Sequence, residues 1–143
     1  MIRGITCSAF DLLHAGHIVM LEEAKTQCDY LICALQIDPS LDRPDKNKPV
    51  QSIVERQIQL KAVKYVDEVI VYDTEESLKE IFSTFDLQVR IIGEEYYTKP
   101  FTGKDICEER GITIYYNTRK HGLSTSALRT RTYDEERLQD SDT

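Results

Sequence analysis

Hydrophobic positions along the chain fall into short, nearly continuous runs separated by longer stretches of helical period. Residues 2–7, 29–37, 66–71, 89–92 and 112–116 are apolar runs of strand length. Continuous rather than alternating hydrophobicity predicts strands covered on both faces, as in a parallel sheet. The intervening stretches read as helices. Residues 18–28 are amphipathic, and Ser52-Ile53-Val54-Glu55 forms a capping box that opens a helix to about Lys64. Thr74 opens a third, with Leu78, Ile81, Phe82 and Phe85 on one face as a core stripe. Residues 104–110 make a short helix stopped by Gly111, and Ser124 can cap a last one to about Arg131. Strand and helix alternate throughout, which predicts an α/β chain: a parallel five-stranded sheet with helices on both faces.

In such sheets ligands bind outside the carboxyl ends of the strands. Polar clusters follow the strands at residues 8–17, 38–48, 93–97 and 119–124, so they converge on one edge. In the first, a strand turns into a helix through Phe10-Asp11-Leu12-Leu13-His14-Ala15-Gly16-His17. The spacing His14-x-Gly16-His17 puts two imidazoles near a helix N-terminus, where unpartnered N–H groups and the helix dipole suit phosphate. Gly16 lets the backbone approach a ligand closely. Imidazole donors beside an anion site can neutralise charge developing on a phosphoryl group. The second cluster is a long connection, residues 39–51, with three prolines and the cations Arg43, Lys46 and Lys48. Long ordered loops in compact domains are usually functional.

Charge sharpens this reading. At 143 residues the chain is one domain, 41% hydrophobic and 30% charged, with a net charge of -7. That acidity argues against nucleic acid as a partner. Its basic residues gather at Arg43, Lys46 and Lys48 and again at Arg119, Lys120, Arg129 and Arg131, as pockets for a small anion require. No apolar run reaches membrane length and no signal-peptide pattern is visible, so the expected location is cytoplasmic, with no membrane partner. The four cysteines, Cys7, Cys28, Cys33 and Cys107, lack CxxC or Cys/His spacing and read as buried free thiols, with no protein-held metal.

Phe10 to His17 resembles the HxGH signature of the cytidylyltransferase-like nucleotidyltransferases, and other stretches agree. Residues 119–126 are similar to the family's RTxGISTT element, and residues 64–69 to its RYVDEV element. Ile92-Gly93-Glu94-Glu95 resembles its Gly-Asp-Asp turn, and Glu55-Arg56 its ER/HR pair. Length and motif order most resemble the compact bacterial glycerol-3-phosphate cytidylyltransferases, over residues 5–129.

The resemblance implies a Rossmann-like fold of HxGH nucleotidyltransferase type. The nucleotidyltransferase domain would span residues 1–131 and an acidic tail 132–143. It implies transfer of CMP from CTP to a phosphorylated small alcohol, glycerol-3-phosphate first, with release of pyrophosphate, Mg2+ bridging the triphosphate, and a homodimer. Catalysis would fall to His14, His17, Lys46 and Arg119, with Lys48 close behind Lys46. Ser8, Ala9, Phe10, Gly16, Gly93, Glu95, Ser124, Thr125 and Ser126 would bind the nucleotide. Asp11, Asp38, Lys48, Arg56 and Lys64 would meet the acceptor. Blander readings stand beside these: Asp38 as a loop cap before Pro39, Arg56 and Lys64 as surface helix charges, the lysines as solvated loop charges.

Departures from the family pattern concentrate at the base and acceptor pockets. Ser8-Ala9 replaces Gly-Thr, Lys64 replaces an arginine and cannot clamp phosphate bidentately, and Tyr96 replaces a tryptophan. Lys48-Pro49-Val50 and residues 97–105 also resemble heptose-1-phosphate adenylyltransferases, which makes ATP with a sugar phosphate the runner-up. A non-catalytic nucleotide-binding module is the second alternative, supported by Ser8-Ala9.

Overall fold

A computed structural model describes residues 1–118. Arg119, Ser124, Thr125 and Ser126, the expected last helix and the acidic tail lie outside the described residues. Within them the order is β1 (Arg3–Ser8), α1 (Ala15–Lys25), β2 (Tyr30–Gln36), α2 (Ile53–Lys61), β3 (Glu68–Tyr72), α3 (Glu75–Thr84), β4 (Val89–Gly93), α4 (Lys104–Arg110) and β5 (Thr113–Asn117). Single 3-10 turns at Pro39–Leu41 and Glu94–Tyr97 follow β2 and β4. The strands pair in parallel in the order β3-β2-β1-β4-β5.

Double coverage explains the continuous apolar runs. On β2, Leu31, Cys33 and Leu35 pack with Leu21 and Ala24 of α1 and Leu60 of α2. Ile32 and Ala34, between them, face the opposite cluster with Leu78 and Phe82 of α3 and Cys107 of α4. The sheet is therefore the middle of three layers. Among the described residues no helix is long and apolar enough to cross a membrane. All four cysteines are free. Burial raises the Cys7 thiol to about 11 and also pushes up Cys28, Cys33 and Cys107.

Several boundaries differ from the sequence reading. α1 begins at Ala15 rather than residue 18, because the histidine motif itself forms its first turn. α2 stops at Lys61 rather than Lys64, and β3 starts at Glu68 rather than residue 66. Val63, Tyr65 and Val66 pack against the core from the connecting turn, so an apolar signal there reports burial without joining the ladder.

The strand order places a crevice at β1. β1 pairs with β2 as far as Ser8↔Leu35, but its ladder with β4 ends at Thr6↔Ile91. Beyond that point β4 pairs only with β5, up to Gly93↔Asn117. The carboxyl ends of β1 and β4 thus separate where the strand order reverses, beside the start of α1.

Candidate active site

The turn from β1 into α1 is unusual in its backbone. Phe10 and Leu12 have φ of 48° and 54°, left-handed values for side chains that rarely adopt them. Each costs roughly 1–2 kcal/mol, so the surroundings must hold them. Phe10 is held by burial of its ring. Leu12 is held by its N–H, which donates to Gln51 Oε1 at 2.9 Å.

His14 caps α1, and the two histidines cap it reciprocally. The Gly16 N–H donates to His14 Nδ1 at 2.9 Å, and the His14 N–H donates to His17 Nδ1 at 3.2 Å. The ring centroids lie 4.2 Å apart. An Nδ1 that accepts a backbone proton carries none of its own, so each neutral ring holds its proton on Nε2. Both rings therefore cap the positive end of the helix through Nδ1 and carry their proton on Nε2. Sequence spacing put the rings near this end; the structure makes them the cap itself.

The connection after β2 is fastened at both ends. At the near end, Asp38 Oδ1 accepts from the Ser40 N–H at 2.9 Å and the Ser40 hydroxyl at 2.6 Å. That hydroxyl bond, helped by the charges of Lys48 and Arg56, holds the Asp38 carboxyl below the ordinary carboxylate range. The loop-cap geometry foreseen for Asp38 is thus present. Asp42 accepts from the Glu75 N–H at 2.5 Å and Arg43 pairs with the Glu75 carboxylate at 3.4 Å, tying the loop to α3. At the far end, the Asp11 carboxylate accepts from the N–H groups of Val50 at 2.8 Å and Gln51 at 2.9 Å. Lys46 and Lys48 lie exposed between these fastenings.

Arg56 corrects the surface-charge reading. It is 2% exposed and makes four hydrogen bonds to carbonyls. Nε donates to Gln51 at 3.1 Å, Nη1 to Ala9 at 3.0 Å and Gln36 at 2.6 Å, and Nη2 to Ile37 at 2.6 Å. Burial lowers its pKa from the ordinary value, while the carboxylates of Asp11 and Asp38 oppose that shift. Four of the five guanidinium N–H groups are thereby used on the chain itself. Arg56 joins the ends of β1 and β2 to the lysine loop, rather than standing free to receive an acceptor.

Lys64 is not brought to this place. It is exposed on the turn between α2 and β3, with Nζ 5.1 Å from the Tyr65 ring centroid. That turn lies at the amino edge of the sheet, where Asp67 pairs with Lys25 at the last turn of α1. The 11 residues of α1 span roughly 16 Å and separate it from the histidines.

The end of β4 closes the other side of the crevice. Gly93 is buried, and a Cβ there would overlap the Glu95 carboxylate, so glycine lets that side chain fold back. Tyr97 packs edge-on against Tyr116 at 5.2 Å, and Phe101 lies edge-on to Tyr96 and Tyr116. The buried Arg90 guanidinium sits over Phe82 and Phe101. Tyr96, where the family pattern has tryptophan, belongs to this aromatic group. Ser8 is exposed beside the turn, and the Ala9 carbonyl is taken by Arg56. Ser8, Ala9, Phe10, Asp11, His14, Gly16, His17, Asp38, Lys46, Lys48, Arg56, Gly93 and Glu95 all follow the carboxyl ends of strands. Gln51 joins them unforeseen, since its bonds to residues 39 and 40 positions away leave no local pattern.

A doubly wound parallel sheet, with an imidazole-capped helix at its point of strand reversal, defines a nucleotide-binding α/β protein. More particularly, the chain belongs to the cytidylyltransferase-like family, whose family model matches residues 5–131. It is a nucleotidyltransferase. It is 34% identical to glycerol-3-phosphate cytidylyltransferase of Bacillus subtilis (strain 168) over 129 residues, 90% of this chain and 95% of that protein. It is 35% identical over 126 residues, 87% of this chain, to bifunctional protein HldE of Hyphomonas neptunium, of whose length it spans only 26%. In three dimensions it resembles the lipopolysaccharide core biosynthesis protein from Thermoplasma volcanium GSS1, with a TM-score of 0.64 and 25% identity over 82% of this chain and 95% of that one.

Proposed function

We propose that this nucleotidyltransferase moves CMP from CTP to a phosphorylated small alcohol, glycerol-3-phosphate first, and releases pyrophosphate. The observation that carries the reading is the pair of imidazoles that cap α1 through Nδ1, beside a lysine loop docked to the same turn. The near-complete match to the length of the Bacillus cytidylyltransferase supports CTP and the alcohol.

An acceptor phosphate oxygen is already an anion and needs no general base. It attacks the α-phosphorus in line, a new P–O bond forms, and the bond to the β-phosphate oxygen breaks with its electron pair leaving on pyrophosphate. Catalysis is then positioning and charge stabilisation. His14 and His17 donate from Nε2 to the phosphate oxygens, and Lys46, with Lys48 next to it, brings an ammonium over the same group. Arg119, Ser124, Thr125 and Ser126 are assigned the β- and γ-phosphates by resemblance. Among the described residues no group of three His, Cys, Asp or Glu could hold a metal ion. By resemblance, Mg2+ bound with the triphosphate would offset charge on the leaving group. A cytoplasmic homodimer completes the proposal; sedimentation of the purified chain at a dimer mass is the expected result.

Similarity to the bifunctional relative favours one second reading, ATP with a sugar phosphate. Pyrophosphate release with CTP and ATP, each against a panel of phosphorylated alcohols and sugars with Mg2+, separates the two. Turnover with CTP and glycerol-3-phosphate is expected; turnover with ATP alone reverses the assignment. Absence of turnover with either nucleotide across the panel would favour a binding module.

A further inference from the structure

We propose that Gln51 is a positioning residue for nucleotidyl transfer, which locks the lysine loop and the histidine turn into one unit. The inference rests on the transferase reading above and concerns how its two parts are held in register. Gln51 makes three bonds, two to the histidine turn and one to Arg56. Its N–H donates to Asp11 Oδ1 at 2.9 Å, its carbonyl accepts from Arg56 Nε at 3.1 Å, and its side-chain Oε1 accepts from the Leu12 N–H at 2.9 Å.

The side-chain bond is the distinctive one. Leu12 sits at φ 54° and is part-buried. A part-buried N–H without an acceptor is unfavourable, and a left-handed leucine already carries strain. Gln51 Oε1 supplies that acceptor, two residues before the helix cap His14. On its other side Gln51 lies three residues after Lys48 and five after Lys46. Removing Oε1 therefore loosens the histidine turn and the lysine loop at once, with no loss of a group that touches substrate. Misplacement of reacting groups by about 1 Å can cost on the order of 10²-fold in rate.

Two substitutions of similar shape separate this role from packing. Gln51→Met removes the acceptor, whereas Gln51→Glu retains one; both leave the backbone bonds in place. Trypsin reads the loop directly. Arg43 and Lys48 precede Pro44 and Pro49, which block cleavage, so Lys46–Asn47 is the one tryptic bond between residues 42 and 49. Gln51→Met is expected to lower kcat about 10- to 100-fold and to speed cleavage at Lys46–Asn47 several-fold, with a cooperative melt retained. Gln51→Glu is expected to recover most of both. Lys46→Ala should cost several-fold less in the Gln51→Met background than in the wild type, because the two act as one unit. Wild-type kcat in Gln51→Met, or a change in kcat without a change in cleavage, overturns the proposal. A wild type inactive toward every acceptor overturns the transferase reading instead, and the cleavage contrast then decides whether Gln51 couples the two segments.

Discussion

The two edges of the sheet differ in backbone strain and in the cations beside it. At the amino edge, Lys25 pairs with Asp67, the Tyr30 hydroxyl donates to Glu68 at 2.8 Å, and the Tyr65 hydroxyl donates to Glu22 at 2.5 Å. At the carboxyl edge, carboxylates tie the loops together: Asp11 accepts from Val50 and Gln51, Asp38 from Ser40, and Glu75 pairs with Arg43. Among the described residues neither Lys46 nor Lys48 forms an ion pair. Among the described residues the non-glycine positions of positive φ, Phe10 and Leu12, both lie on this edge. Charge matched locally serves the fold, whereas strained backbone with cations held open beside it suits an anionic ligand.

The largest test of that contrast is a pair of alanine substitutions, one on each edge. His17→Ala is expected to lower kcat by roughly 10²–10³, while Lys64→Ala changes it less than about twofold; steady-state pyrophosphate release checks both. A comparable loss in Lys64→Ala would refute the distinction between the edges.

Stability ranks next. Arg56→Leu strips donors from carbonyls at the ends of two strands and should cost about 3 kcal/mol in denaturant unfolding, from buried acceptors left unsatisfied. The half-exposed Lys25–Asp67 pair should cost under about 1 kcal/mol when Asp67 is changed to Asn. Equal losses would mean that Arg56 is not the tie described here.

The smallest effect is chemical. With its thiol raised to about 11 by burial, Cys7 is almost wholly protonated at pH 8. Native alkylation of Cys7 by iodoacetamide should run about 100-fold slower than that of a free thiol, and accelerate as pH rises toward that value. Denaturant should abolish the difference, as mass spectrometry of the modified peptide would show.

Much of the fold was legible because burial on both faces leaves an uninterrupted apolar run, as on β2, and because caps such as Ser52 and the left-handed Gly111 punctuate the helices. The start of α1 was misplaced because hydrophobic periodicity begins only at Ile18, after the polar turn that opens the helix. Arg56 was illegible for a different reason. Its carbonyl partner Ala9 is 47 positions away, so its burial arises only when strand ends converge. Lys64 shows the limit of motif likeness: the stretch around it is similar to a family element, but a residue between a helix and the next parallel strand lies at the amino edge. That much followed from topology alone.

The most direct test is ¹⁵N NMR of the imidazoles, of which the chain has three. In the free protein, His14 and His17 should each show an unprotonated Nδ1 and a protonated Nε2, and CTP with Mg2+ should shift both Nε2 resonances. Protons on Nδ1, or unmoved Nε2 signals at saturating nucleotide, would contradict the account.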